Sequence, residues 1–242
     1  AVYASNEAEL VAVYGRRRVG KTYLIKHFYQ VKKCIYFQIT GINKGTLGLQ
    51  LERYTKVLGE VFYHGAAIKA PANWMEAFDM LTKAINQLPK SKKVVLFFDE
   101  LPWLASRKSG VLQAIEYFWN RYWVDDKRFK LILCGSSSSW MINKIIKNRG
   151  GLHNRVTKKI RLMPFNLRES QHFLEHQGVT LSPKQLLKVY MAIGGIPYYL
   201  KQIVKSCSID QNINQLFFSP DGLFFNEFDE VFFSLFEDAD AY

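Results

Sequence analysis

The chain has 242 residues, 48% hydrophobic and 15% aromatic, which is ample for a packed core, and no apolar run reaches the roughly 18 residues of a membrane-spanning helix. Its cysteines, Cys34, Cys134 and Cys207, form no C-x-x-C pair, and no signal peptide is visible; both fit a reducing, cytoplasmic setting and argue against a disulfide framework. The formal charge of +12 is uneven, with seven acidic residues and no Lys or Arg over 219–242, so a nucleotide, a nucleic acid or an acidic protein is a compatible partner, as is a merely solvated basic surface.

The chain opens at Ala1, without Met, directly ahead of its first strong element, as expected of a fragment or of a trimmed numbering. Leu10-Val11-Ala12-Val13-Tyr14 is a short apolar run rich in β-branched residues, which predicts a buried parallel strand. Gly15-Arg16-Arg17-Arg18-Val19-Gly20-Lys21-Thr22 follows and matches G-x-x-x-x-G-K-[ST], a phosphate-binding loop. The glycines permit the dihedrals that turn backbone N–H groups inward around an anion. The next helix, expected over 22–29 with Leu24, Ile25 and Phe28 on one face, adds its positive end. Lys21 is placed to reach the β- and γ-phosphates and Thr22 to ligate Mg²⁺, with the rest of the loop and Tyr23 completing the nucleotide contacts.

A second strand is expected over 33–39, and helices over 46–60 and 73–88. Val94-Val95-Leu96-Phe97-Phe98-Asp99-Glu100 then reads as a strand buried on both faces with two carboxylates at its C-terminal end, where ligands bind in open α/β sheets. Asp99 suits support of Mg²⁺, and Glu100 suits orientation or deprotonation of an attacking water. A helix over 109–123 carries Leu112, Ile115, Trp119 and Tyr122 on one stripe; Trp119 and Trp123 are either core residues or base-stacking platforms.

The strand expected over 129–135 ends in Ser136-Ser137-Ser138-Ser139. Ser136, with Ser137 second, is the candidate to hydrogen-bond the γ-phosphate or the water; alternatively these serines cap a helix over 140–147. In the loop 148–155, Arg155 is the candidate cation for transition-state charge, in cis or from a neighbouring subunit. A fifth strand over 159–162 closes the core, and short helices over 167–177, 183–192 and 197–205 follow, broken by Gly194-Gly195-Ile196-Pro197. That break either sets Pro197 against an adenine or is an ordinary turn. His172-Phe173-Leu174-Glu175-His176 matches H-x-x-E-H, but lacks a third ligand and reads as an exposed helix. Phe224, Phe228 and Phe232, with Phe225, Phe233 and Phe236, make an aromatic C-terminal stretch that needs a covering surface.

The residues Val13 to Thr22, Phe97-Phe98-Asp99-Glu100-Leu101-Pro102-Trp103, Leu133-Cys134-Gly135-Ser136 and Gly195-Ile196-Pro197-Tyr198-Tyr199-Leu200 resemble the archaeal-type P-loop ATPases related to AAA+ and STAND proteins. Gly151 to Arg155 and Met163-Pro164-Phe165 fit as well. The resemblance implies an additional-strand ATPase core, a helical lid in which Pro197 contacts the base, and a winged-helix-like region. The family's upstream Gly-Arg-x-x-Glu element and a nuclease-like acid cluster are not found in this sequence.

The expectation is an α/β, AAA+/STAND-like P-loop NTPase with a three-layer core and parallel sheet over 1–163. A helical lid and the start of a helical or winged-helix-like region take up 164–242. Its function would be Mg²⁺-dependent ATP hydrolysis driving a conformational change, with homo-oligomerisation a further expectation. The rival is an ATP-gated switch of little turnover that acts on DNA or a protein. Guanine specificity is disfavoured because no N/T-K-x-D occurs.

Overall fold

The computed structural model describes residues 2–147, 150–152 and 154–226. The expected features at 148, 149, 153 and 227–242, including most of the C-terminal phenylalanines, lie outside the described residues. By packing, the chain forms two units: Ala1–Gly15 with Lys21–Leu162, and Arg16–Gly20 with Met163–Tyr242.

In the first unit, β1 (Glu9–Tyr14), β2 (Cys34–Thr40), β3 (Lys93–Asp99), β4 (Phe129–Gly135) and β5 (Lys158–Arg161) form one sheet in the order β2-β3-β4-β1-β5. Every pairing is parallel. β4 lies between β1 and β3, so the strand carrying Asp99 is not hydrogen-bonded to the strand that enters the glycine loop.

Alternation along the strands divides the core into two faces. Leu10, Ala12, Leu96, Phe98, Leu131 and Leu133 meet α2 (Leu47–Phe62), α3 (Trp74–Asn86), α5 (Val111–Phe118) and α6 (Ser138–Met141). Val11, Val13, Val95, Phe97, Ile132 and Cys134 meet α1 (Lys21–Gln30). Helix, sheet and helix make the three layers. Thr46 and Asn73 cap α2 and α3 by accepting from the Leu49 and Glu76 amides, satisfying donors that a helix start leaves open. Phe78 of α3 anchors the larger face: fully buried, its ring contacts those of Tyr54, Trp74, Phe98, Phe118 and Trp123.

Two helix faces differ from the sequence expectation. On α1 the inward residues are Lys21, Ile25 and Tyr29, while Leu24 and Phe28 are exposed. A single i, i+4, i+8 row of α1 faces the sheet, with Val2, Tyr3 and Tyr36 packed beside it. α5 continues into a π turn over Trp119–Trp123, closed by the Val124 amide on the Trp119 carbonyl. The wider turn shifts the inward face by one residue, so Trp123 is buried where Tyr122 was expected. Trp119 and Trp123 are core residues; Trp123 Nε1 donates to Thr82 Oγ1 at 3.0 Å. They are not base-stacking platforms. A similar π turn over Ile142–Ile146 extends α6.

The second unit packs α7 (Leu167–His176), α8 (Pro183–Ile193), α9 (Pro197–Leu200) and α10 (Ile209–Ile213) around Leu174, Leu186, Val189, Leu200 and Phe224. Asn166, Ser182 and Ser208 each begin a helix with a capping box. The helix expected over 197–205 stops at Leu200. Buried Asn212 gives the reason: its Oδ1 accepts from the Val204 amide, and its Nδ2 donates to the Val204, Cys207 and Ser208 carbonyls, fixing 204–208 as a loop. That loop leads to α10, which sequence spacing did not reveal.

Candidate functional site

β1 delivers the glycine loop. Gly15 has φ 150°, and a Cβ there would stand 2.2 Å from the Leu162 carbonyl oxygen, so only glycine fits at this strand end. Lys21, the first residue of α1, is 5% exposed, and its Nζ donates to the Gly15 carbonyl at 2.9 Å. That bond holds its charge over the start of the loop, where a phosphate oxygen can take the place of the carbonyl.

Because β3 ends beside β4 in register, their C-terminal residues converge. Asp99 is 2% exposed and accepts from Thr22 Oγ1 at 2.8 Å through Oδ2 and from the Glu100 amide at 3.1 Å through Oδ1. Burial pushes its carboxyl above the usual range, the Thr22 bond opposes this, and the neighbouring Glu100 charge adds to the rise. A buried carboxylate beside a hydroxyl is a donor set suited to a hard divalent cation that also takes phosphate oxygens. Among the described residues no group of three or more His, Cys, Asp and Glu is placed to hold a metal. A cation here would therefore rest on Asp99, Thr22 and the nucleotide itself.

Glu100 sits in the left-handed region, φ 46° and ψ 52°, an uncommon conformation for a residue with a side chain. It turns the chain sharply from β3 into α4 (Leu101–Leu104). Its Oε2 accepts both the Ser136 Oγ, at 2.8 Å, and the Ser136 amide, at 3.1 Å. The structure thus brings Lys21, Thr22, Asp99, Glu100 and Ser136 to one end of the sheet. Ser137 instead caps α6, accepting from the Trp140 amide.

Two positions support this turn and went unnoticed in the sequence. Buried Gln50 donates to the Ile42 and Trp103 carbonyls, at 3.0 and 3.1 Å, and accepts from the Ile42 amide. It joins the end of β2 to the far side of the Glu100 turn. Gly41 comes so close that a Cβ would lie 2.5 Å from the Glu100 carbonyl oxygen. The available signal for Gln50 was a polar residue on the apolar stripe of Leu47, Leu51 and Tyr54.

The remaining candidates have the following surroundings. Tyr23 is 72% exposed and stacks on His27. Arg155 is exposed, its amide donating to the Leu152 carbonyl at 3.1 Å. His172, Glu175 and His176 are exposed on α7, with Gln171 donating to Glu175.

In the second unit, Arg18 has φ 69° and lays its guanidinium 4.7 Å from the Tyr198 ring centroid, with Nη1 3.4 Å from the Tyr199 hydroxyl. Arg16 and Arg17 are exposed and Val19 is buried. Pro197 begins α9 just after Gly195, whose carbonyl accepts the Phe165 amide at 2.7 Å.

Residues 1–203 match a family described as an ATPase domain predominantly from Archaea. The chain belongs to that family. It is an archaeal-type P-loop ATPase domain, and ATP is its substrate. An uncharacterized protein of Methanocaldococcus jannaschii, MJECL04, is 28% identical over 205 residues. That match covers 82% of this chain and 40% of the relative, so the chain spans less than half of that protein.

Among solved structures, the Walker-type ATPase PABY2304 of Pyrococcus abyssi aligns with a TM-score of 0.58 at 17% identity, covering 93% of this chain and 71% of that one. The ORC2 protein of Aeropyrum pernix, solved in ADPNP–ADP complexes, aligns at 0.57 and 16% identity over 86% of this chain and 62% of that one. At such identities the likeness establishes the fold. Among the described residues of this ATPase domain, no helix is long and apolar enough to cross a membrane.

Proposed function

We propose that this ATPase domain hydrolyses ATP with Mg²⁺ and uses the cycle to change conformation for a partner. The observation that carries the reading is the convergence of Lys21, Thr22, Asp99 and the Ser136-bound Glu100 at one sheet end. Lys21, with the amides of the loop Gly15, Arg16, Arg17, Arg18, Val19 and Gly20, binds the phosphates. Thr22 and Asp99 would hold Mg²⁺, which when bound would supply positive charge to the phosphates. Glu100 keeps one carboxylate oxygen for the attacking water while Ser136 holds the other, so the general base is oriented before the substrate arrives. Arg155 supplies transition-state charge, and Pro197 lies against the base. Residues 1–163 are read as the catalytic core, and 164–242 as a helical lid and the start of a helical or winged-helix-like region.

Glu100→Gln tests this directly. ATP affinity should stay within about threefold of the parent while turnover falls by roughly 10² or more. Unaltered turnover excludes Glu100 from water activation.

A second reading is favoured by the basic surface. Lys158, Lys159 and Arg161 of the edge strand β5 are all exposed, and such a face suits DNA or an acidic protein. In that case the domain is an ATP-gated switch, cytoplasmic and assembled with copies of itself or a partner. It would bind ATP through Lys21 with little turnover, and its DNA affinity would fall steeply with salt.

A further inference from the structure

The π turn that ends α5 has a consequence beyond core packing. Turning Trp119 and Trp123 inward leaves Asn120 between them at the loop that follows α6. Asn120 Nδ2 donates to the Gly151 carbonyl at 2.9 Å. Glu116, one turn earlier on the same helix, fills the space where Gly151 lacks a side chain: a Cβ there would be 1.9 Å from Glu116 Oε1. The next residue, Leu152, is 1% exposed and belongs to the main core. Gly151 and Leu152 are therefore held on three sides, by a hydrogen bond, a close packing contact and a buried side chain. Arg155 follows within one turn, its amide tied back to the Leu152 carbonyl.

We infer that Asn120 is a positioning residue for ATP hydrolysis, fixing the Gly151 loop so that Arg155 is presented at a defined place. The inference rests on the reading of Arg155 as the transition-state cation. Its physical basis is that an arginine on a loop loses effect once its base drifts: a displacement near 1 Å can cost on the order of 10²-fold in rate. A glycine carbonyl held by a rigid helix prevents that drift. Asn120 touches neither ATP nor water; it acts through the loop.

The test is a double-mutant cycle on the whole chain, with Asn120→Asp, Arg155→Ala and the pair. Aspartate matches the shape of Asn120 but lacks the donor. Turnover and ATP affinity are measured together with amide exchange at 150–155. Asn120→Asp should leave ATP affinity within about twofold, lower kcat about tenfold, and speed exchange at Leu152 and Arg155. Arg155→Ala should cost on the order of 10³ in kcat, and the pair should be no slower than Arg155→Ala alone. Asn120→Ser repeats the test should aspartate destabilise the loop. The inference is overturned if Asn120→Asp turns over normally while Arg155→Ala is slow, or if it slows the Arg155→Ala protein by the same factor. Unchanged exchange overturns it as well. Normal turnover by Arg155→Ala removes the reading of Arg155 itself, and the role of Asn120 with it.

Discussion

At the scale of single residues, the site keeps a carboxylate where the fold would prefer none. Asp99 is buried at 2% exposure and its acidity is weakened chiefly by burial. The folded state thus holds its proton more tightly than the unfolded chain does. The sign follows: stability from this group is fullest below the unfolded value and is lost as pH rises through the higher folded one. Once ionised, the carboxylate opposes folding, and a cation with nucleotide would offset this. Asp99→Asn should therefore raise the metal-free melting temperature by about 2–4 °C, the size of a change near 1 kcal/mol in a chain of this length. The variant should also lose most of the thermal gain that Mg²⁺ and an ATP analogue confer on the parent. A lower metal-free melting temperature contradicts this account of Asp99.

The residues that were legible beforehand share one property: each lies at a strand end or at a fixed offset within the loop. Lys21, Thr22, Asp99, Glu100 and Ser136 follow from local spacing, because parallel strands bring their C-terminal ends together whatever their order. Gln50, Gly41 and Asn120 act on carbonyls from remote segments, those of Trp103, Glu100 and Gly151. No local pattern marks such a partner, so these positions emerge only from the fold.

Among the elements, β1, β3 and β4 are legible within a residue or two because each is an apolar run buried on both faces. Helix faces were less secure. A single π turn after α5 exchanged Tyr122 for Trp123 in the core, and hydrogen-bonding by Asn212 ended α9 early. Both effects come from tertiary packing overriding a regular helical period. The joint at Gly195 follows the same logic. A Cβ there would stand 1.7 Å from the Phe165 carbonyl oxygen, against rigid backbone. Gly195→Ala should destabilise the second unit by about 2 kcal/mol, within the range of overpacked sites. Denaturant unfolding followed by hydrogen exchange in α7 and α8 checks this, and full protection in those helices would show that the joint has slack.

For the whole molecule, the sheet order places β4 between the two strands that carry the glycine loop and Asp99. Charge is the other global property. Its excess of 33 basic over 21 acidic residues is compatible with an anionic partner and equally with a solvated basic surface. The central claim remains the nucleotide site proposed at the C-terminal end of the sheet. Its most direct test is ATP binding and turnover with Mg²⁺ by the parent chain and by Lys21→Ala, side by side. The account predicts binding and turnover by the parent, with affinity reduced by roughly 10² or more in Lys21→Ala through loss of a charge-assisted phosphate contact. Equal binding by both proteins would contradict the assignment of this loop as the phosphate site.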